Sequence, residues 1–145
     1  MVKMVRHNHE GVIMGIVATA TVNTLEAPWS GEVQSGKHQL ITDKPESFGG
    51  GDLGLAPYDL LCASLISCTM ITLRMYAAHK QIQLGEFRVK ADFCANREGA
   101  EWVERRLHFQ TPLDAELELK ILSICEKTPV TKTLLRSVDI KTTLV

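Results

Sequence analysis

Three things are missing from this chain: a basic excess, an apolar run long enough to cross a bilayer, and a paired Cys-x-x-Cys motif. Lysine and arginine total 16 against 17 acidic residues, for a net charge of -1. A nucleic-acid surface needs a cluster of positive charge, so that partner class is not expected. The longest uncharged apolar run is Leu60 to Leu73, about 14 residues. A span needs roughly 20, so the run reads as a buried core helix and no membrane partner is expected. Met1 to Glu10 is polar and lacks the apolar centre of a signal peptide, which predicts a cytoplasmic protein. The glycines at 49–51 are not followed by Gly-Lys-Ser/Thr, so they do not form a phosphate loop. There is no internal repeat or low-complexity tract, and 145 residues suit one domain with a real core.

Four cysteines are present, Cys62, Cys68, Cys94 and Cys125. Their scattered spacing argues against a zinc site, and no metal or cofactor is expected. In a reducing compartment they should be free thiols unless one is redox-active. Cys62 and Cys68, six residues apart on one helix, would lie about 9 Å apart on different faces and could not bond. His7 and His9 have ligand-like spacing, but two histidines without further ligands rarely make a site.

Periodicity predicts an α+β fold in the order β-β-α-β-β-α-β. Val12 to Val22 is rich in β-branched residues and reads as a strand. Val33 to Asp43 contains the turn signal Ser35-Gly36 and then a second strand. After a glycine-rich loop at 44–54, Pro57 opens a helix reaching Lys80, with Asp59 in its first turn. Leu61, Leu65, Cys68, Thr72 and Met75 fall on one stripe of it, yet the other side is apolar too. Such a helix must be covered on several sides, by sheet or by a second copy of the chain. Glu86 to Cys94 and Glu101 to Thr111 form a strand pair around a turn at 95–99. Arg105 and Arg106 then point to opposite faces, so at most one can enter a site. A helix from about Asp114 to Lys127 ends near Pro129, a short helical piece covers Val130 to Leu135, and Val138 to Val145 is predicted to be a last strand.

Several local motifs resemble the OsmC/Ohr family of organic hydroperoxide resistance proteins. They are Gly36-Lys37-His38 through Pro45, the Gly49-Gly50 and Gly54 loop into Ala56-Pro57-Tyr58-Asp59, and Ala63-Ser64-Leu65 through Cys68-Thr69. Leu73 to Ala77 and Glu126-Lys127-Thr128-Pro129-Val130 complete the set. The resemblance implies one OsmC-like domain over residues 1–145. It also implies an intertwined homodimer with sheets wrapped around central helices, reducing organic hydroperoxides without metal or haem. It makes Cys68 the peroxide-attacking thiol, with a small organic hydroperoxide as substrate and a thiol or dithiol as reductant.

The chain departs from the family pattern at two places. The family's resolving cysteine immediately precedes the late Pro-Val, and here that position is Thr128. Cys125, three residues earlier and nearly on the same face, is the candidate substitute. The family also activates its cysteine with an arginine, and none lies between Lys37 and Gly54. The nearest matches are His38 and Asp59; a histidine–thiolate pair with Asp59 orienting the imidazole is chemically sound. Two function classes follow. One is a cysteine-dependent peroxidase with Cys68, Cys125, Asp59 and His38 at its site. The other is a non-catalytic binding protein for a small apolar or thiol-reactive ligand, since Thr128 cannot form a disulfide.

Overall fold

The structure, a computed structural model, describes residues 15–145. His7 and His9, and the start of the strand expected over 12–22, lie outside the described residues. The chain divides into two compact units, residues 1–57 and 58–145.

The first unit holds an antiparallel meander of β1 (Thr21–Thr24), β2 (Gly31–Ser35) and β3 (His38–Thr42). The predicted turn is present: Ser35 pairs with His38, and Gly36 between them has φ +57°, a left-handed value that glycine adopts without penalty. The strand expected over Val12 to Val22 is displaced: residues 16–20 carry no strand, and pairing runs only from Thr21↔Gln34 to Thr24↔Gly31. Beyond Ser35 the chain turns into the hairpin, so β2 offers no further ladder to residues 16–20; Ser35 Oγ bonds Thr19 O instead, at 2.9 Å.

The glycine-rich loop includes a single 3-10 turn (Glu46–Phe48) and folds back on the end of β3. Asp43 is buried, and its carboxylate accepts from the Lys44 N–H at 2.7 Å and the Leu53 N–H at 3.1 Å. Glycine is required where backbone meets backbone. A Cβ on Gly54 would stand 2.0 Å from Ile41 O, and one on Gly50 1.8 Å from Lys44 O.

The long helix α1 spans Pro57–Lys80, the range expected from Pro57 and Asp59. At 24 residues it is long and apolar enough to cross a membrane by length and composition alone. However, Leu65, Thr69, Leu73 and Ala77 are buried against other parts of the chain. That buried stripe differs from the expected one, Leu61-Leu65-Cys68-Thr72-Met75. Two stripes were equally apolar, and the one that met the neighbouring elements is offset, leaving Cys68 on its flank and Met75 exposed.

In the second unit β4 (Phe87–Ala95) and β5 (Glu101–Phe109) pair antiparallel in register from Phe87↔Phe109 to Ala95↔Glu101. Asn96 closes their turn by accepting from the Glu98 and Ala100 N–H groups. Helix α2 (Ala115–Cys125) is capped by Asp114, which accepts from the Leu117 N–H at 2.8 Å. Helix α3 (Pro129–Arg136) starts at the proline expected to break α2. Leu73, Ala77, Leu84, Ile121 and Cys125 form the core, flanked by Phe87, Leu107 and Phe109. The strand expected over Val138 to Val145 is absent: residues 137–145 carry no regular structure and are exposed. Strand-forming residues are there, but a strand exists only when a second strand supplies its hydrogen bonds. Among the described residues the order is thus three strands, α1, two strands, α2 and α3, an α+β fold with two antiparallel sheets.

Candidate functional site

Cys68 sits near the middle of α1, half-buried. Its own carbonyl accepts from Thr72 Oγ1 at 2.7 Å, a back-bond common for hydroxyl residues in helices. One residue on, Thr69 is fully buried and joins a polar cluster built from three elements. Arg105 Nη1 donates to Thr69 Oγ1 at 3.0 Å and to Thr131 Oγ1 at 2.9 Å. Thr131 Oγ1 in turn donates to Cys125 O at 3.1 Å and lies 2.7 Å from Thr128 Oγ1.

Proton accounting orients this cluster. Each hydroxyl has one hydrogen and two lone pairs. The Thr131 hydrogen goes to Cys125 O, so its oxygen accepts from both Arg105 and Thr128, and Thr128 is the donor of that last bond. Thr128 occupies the N-cap of α3, yet its side chain makes no cap bond because it points into this cluster.

Strand alternation decides which arginine takes part. Arg105 faces inward with its side chain 12% exposed. Arg106 faces out and pairs with Asp92 and Glu104. Lys90 and Arg106 together hold the Asp92 carboxyl below the usual carboxylate range. That at most one of the two arginines could enter a site was legible from the sequence. Which one, and that threonines would receive it, was not.

The other candidates are placed as follows. Cys125 is 2% exposed within the core, and burial raises its thiol pKa, only partly offset by the Arg105 charge. Asp59 is exposed in the first turn of α1 and lines a cavity of about 480 Å3 with Tyr58, Cys62, Asp92 and Phe93. Nine helical residues separate it from Cys68, about half a turn around the axis and about 13 Å along it. The two lie on opposite sides of α1, so the part expected of Asp59, orienting the His38 imidazole, is one that involves no direct contact with the Cys68 thiol. His38 belongs to the first unit, exposed at the head of β3. Among the described residues no group of three or more His, Cys, Asp or Glu could hold a metal.

A larger cavity, about 590 Å3, is lined from α1 by Leu61 and Leu65, from the hairpin by Phe93, Val103 and Arg105, and from the late helices by Leu122, Cys125, Glu126 and Thr131. Cys68 is not among its lining residues, although Leu65 lies one turn before it.

The chain is thus an α+β protein with a half-buried cysteine inside a long apolar helix and, from the next residue on, a polar cluster fed from a strand and a late helix. Residues 49–143 match the family described as OsmC-like protein, and the chain belongs to that family. Solved structures agree in fold. An osmotic stress induced and detoxification response protein from Psychrobacter arcticus superposes with TM-score 0.70 at 20% identity, over 83% of this chain and 90% of that one. An organic hydroperoxide resistance protein OsmC from Legionella pneumophila gives 0.63 at 19%, over 82% and 89%. The organic hydroperoxide resistance protein OhrB of Bacillus subtilis gives 0.57 at 21%, over 87% and 96%. No curated protein matches the sequence.

Proposed function

We propose that this protein is a cysteine-dependent peroxidase that reduces organic hydroperoxides and draws its reducing equivalents from an external thiol. The observation that carries the reading is Cys68, a half-buried thiol inside the apolar helix of a chain that belongs to the OsmC-like family. Its thiolate attacks the distal oxygen of ROOH; the O–O bond breaks, and RO⁻ takes a proton to leave as ROH. Cys68 becomes a sulfenic acid, oxidised by two electrons. Two equivalents of an outside thiol then return it to the thiol, releasing water and a disulfide.

Two features support external reduction. Thr128, at the position of the family's resolving cysteine, has no sulfur and is held by hydrogen bonding in a fully buried site. Cys125 lies in the core with its thiol held protonated by burial, a poor nucleophile for a sulfenic acid. His38 is the candidate base for the Cys68 proton, and a cytoplasmic setting would supply the reductant. The exposed apolar residues Ile71 and Met75 on α1 and Leu135 on α3 support cover by a second copy of the chain, a homodimer of one-domain subunits.

The test is turnover of cumene hydroperoxide in excess over protein with dithiothreitol, against a Cys68→Ser variant. Consumption that the variant lacks supports the enzyme; equal consumption by both ends it. Thr128 favours one second reading, a non-catalytic binding protein for a small apolar or thiol-reactive ligand. It is distinguished by stoichiometric capture at Cys68 without turnover.

A further inference from the structure

The buried stripe of α1 leaves a second stripe on the far side of the helix. Ser64, Ser67, Ile71, Arg74, Met75 and Ala78 fall opposite Leu65, Thr69, Leu73 and Ala77, and all are exposed, with half-buried Cys68 at their margin. Ile71 is the centre of this stripe. Ser64 and Ala78 stand equally far to either side of it, and so do Cys68 and Arg74. Arg74 is the one charged side chain on the stripe, and its guanidinium has no hydrogen-bond or ion-pair partner among the described residues. Small residues near both ends suit a close helix–helix contact, and a cation enclosed in such a contact needs an anion.

We propose that a second copy of the chain covers this stripe with its own α1, antiparallel and crossing at Ile71, and that Arg74 of each copy thereby holds the Cys68 thiolate of the other. A two-fold axis through the crossing matches each residue with the one equally far beyond Ile71 in the other copy. Cys68 of one copy and Arg74 of the other then stand at the same height, about 4.5 Å along the axis from the crossing. They flank the seam across an interaxial gap of about 8–10 Å, which the long arginine side chain spans. Charge selects this crossing over its neighbours. A crossing one turn later, near Met75, would set the two guanidiniums against each other. One turn earlier, at Ser67, Arg74 would meet Leu60 and remain without an anion. On its own helix Arg74 is about 9 Å along the axis from Cys68 and about a third of a turn around it, so the contact is made between copies. The inference rests on the homodimer and peroxidase readings above and adds the group that keeps the thiol ionised. The guanidinium takes no part in bond making; it steadies the thiolate before attack.

The test reads the thiol itself, which separates it from turnover. Alkylation of Cys68 by iodoacetamide is followed by peptide mass between about pH 5 and about pH 10. Three proteins are compared: wild type, Arg74→Met, and a mixed dimer of Arg74→Met with Cys68→Ser purified through two different tags. Position 74 is exposed and methionine is a good helix former, so the fold is kept. In Arg74→Met the midpoint of the pH–rate profile should rise by about one to two pH units. That is roughly a ten- to hundred-fold loss of thiolate at neutral pH, the range expected for losing one hydrogen bond to a charged group. In the mixed dimer the one remaining Cys68 faces an intact Arg74, so its profile should return to that of the wild type. A profile unchanged by Arg74→Met, a mixed dimer that keeps the Arg74→Met profile, or a wild type that is monomeric at the working concentration would each overturn the proposal. Turnover is scored separately: if the profiles behave as expected while the wild type consumes no cumene hydroperoxide, the peroxidase reading ends and the pairing stands.

Discussion

Replacing Thr131 by valine keeps the shape of the side chain and removes the one oxygen on which three bonds of the buried cluster converge. Arg105 Nη1 loses an acceptor at 2.9 Å, Thr128 Oγ1 loses its acceptor at 2.7 Å, and Cys125 O loses a donor at 3.1 Å. A lost bond to a charged group is worth roughly 1.5–3 kcal/mol, and a stranded buried donor roughly 1–3 kcal/mol. The two overlap, because Arg105 keeps Thr69 and can turn toward Glu126. We therefore expect Thr131→Val to destabilise the fold by about 2–4 kcal/mol. Thr128→Val removes only a donor and leaves Thr131 one spare lone pair, at about 0.5–1.5 kcal/mol.

The double variant makes the stronger test. Once Thr131 is valine, changing Thr128 also removes the stranded hydroxyl, so the second substitution should cost nothing or restore some stability. The coupling should be about 1–2 kcal/mol, with the double variant more stable than the sum of the singles. The measurement is urea unfolding of all four proteins at one fixed concentration, so that any association contributes equally. Additive losses, or Thr128→Val costing more than Thr131→Val, would refute the assigned donor direction and the central place of Thr131.

Three further outcomes are expected. Burial raises the Cys125 pKa, so the folded state holds this proton more tightly than the unfolded one. The stability it contributes is full below the ordinary thiol pKa and is lost as pH rises through the folded value; between neutral pH and about pH 10 the wild type should lose more stability than Cys125→Ala. Thr128→Cys puts a thiol where the family carries its resolving cysteine, and after one equivalent of peroxide it should yield a disulfide to Cys68 by peptide mass, whereas the wild type keeps a sulfenic acid that an external thiol must reduce. Gly54→Ala drives a Cβ to 2.0 Å from Ile41 O, and thermal melts should register a loss of about 1–3 kcal/mol or more, while Gly36→Ser in the open turn is limited to its backbone strain.

Much of this molecule was readable before any coordinates, because the signals concerned are local. Pro57 and Asp59 mark a helix start by removing an N–H that needs no partner and by placing charge at the positive end of the dipole, and α1 begins there. Ser35-Gly36 and the turn at 95–99 marked hairpins for equally local reasons. The motif around Cys68 pointed to the OsmC-like family, and residues 49–143 match it. What local chemistry could not decide was everything that depends on a neighbour distant in sequence. Two apolar stripes on α1 had equal claim to the core, and only packing chose Leu65, Thr69, Leu73 and Ala77. Residues 138–145 have the composition of a strand, but a strand is a property of two segments and they pair with none of the described residues. The cluster that joins Thr69, Arg105, Thr128 and Thr131 draws on α1, β5 and the start of α3. None of these residues signals it alone, since a threonine or an arginine acquires a buried role only when the fold removes water and supplies the partner that water had been.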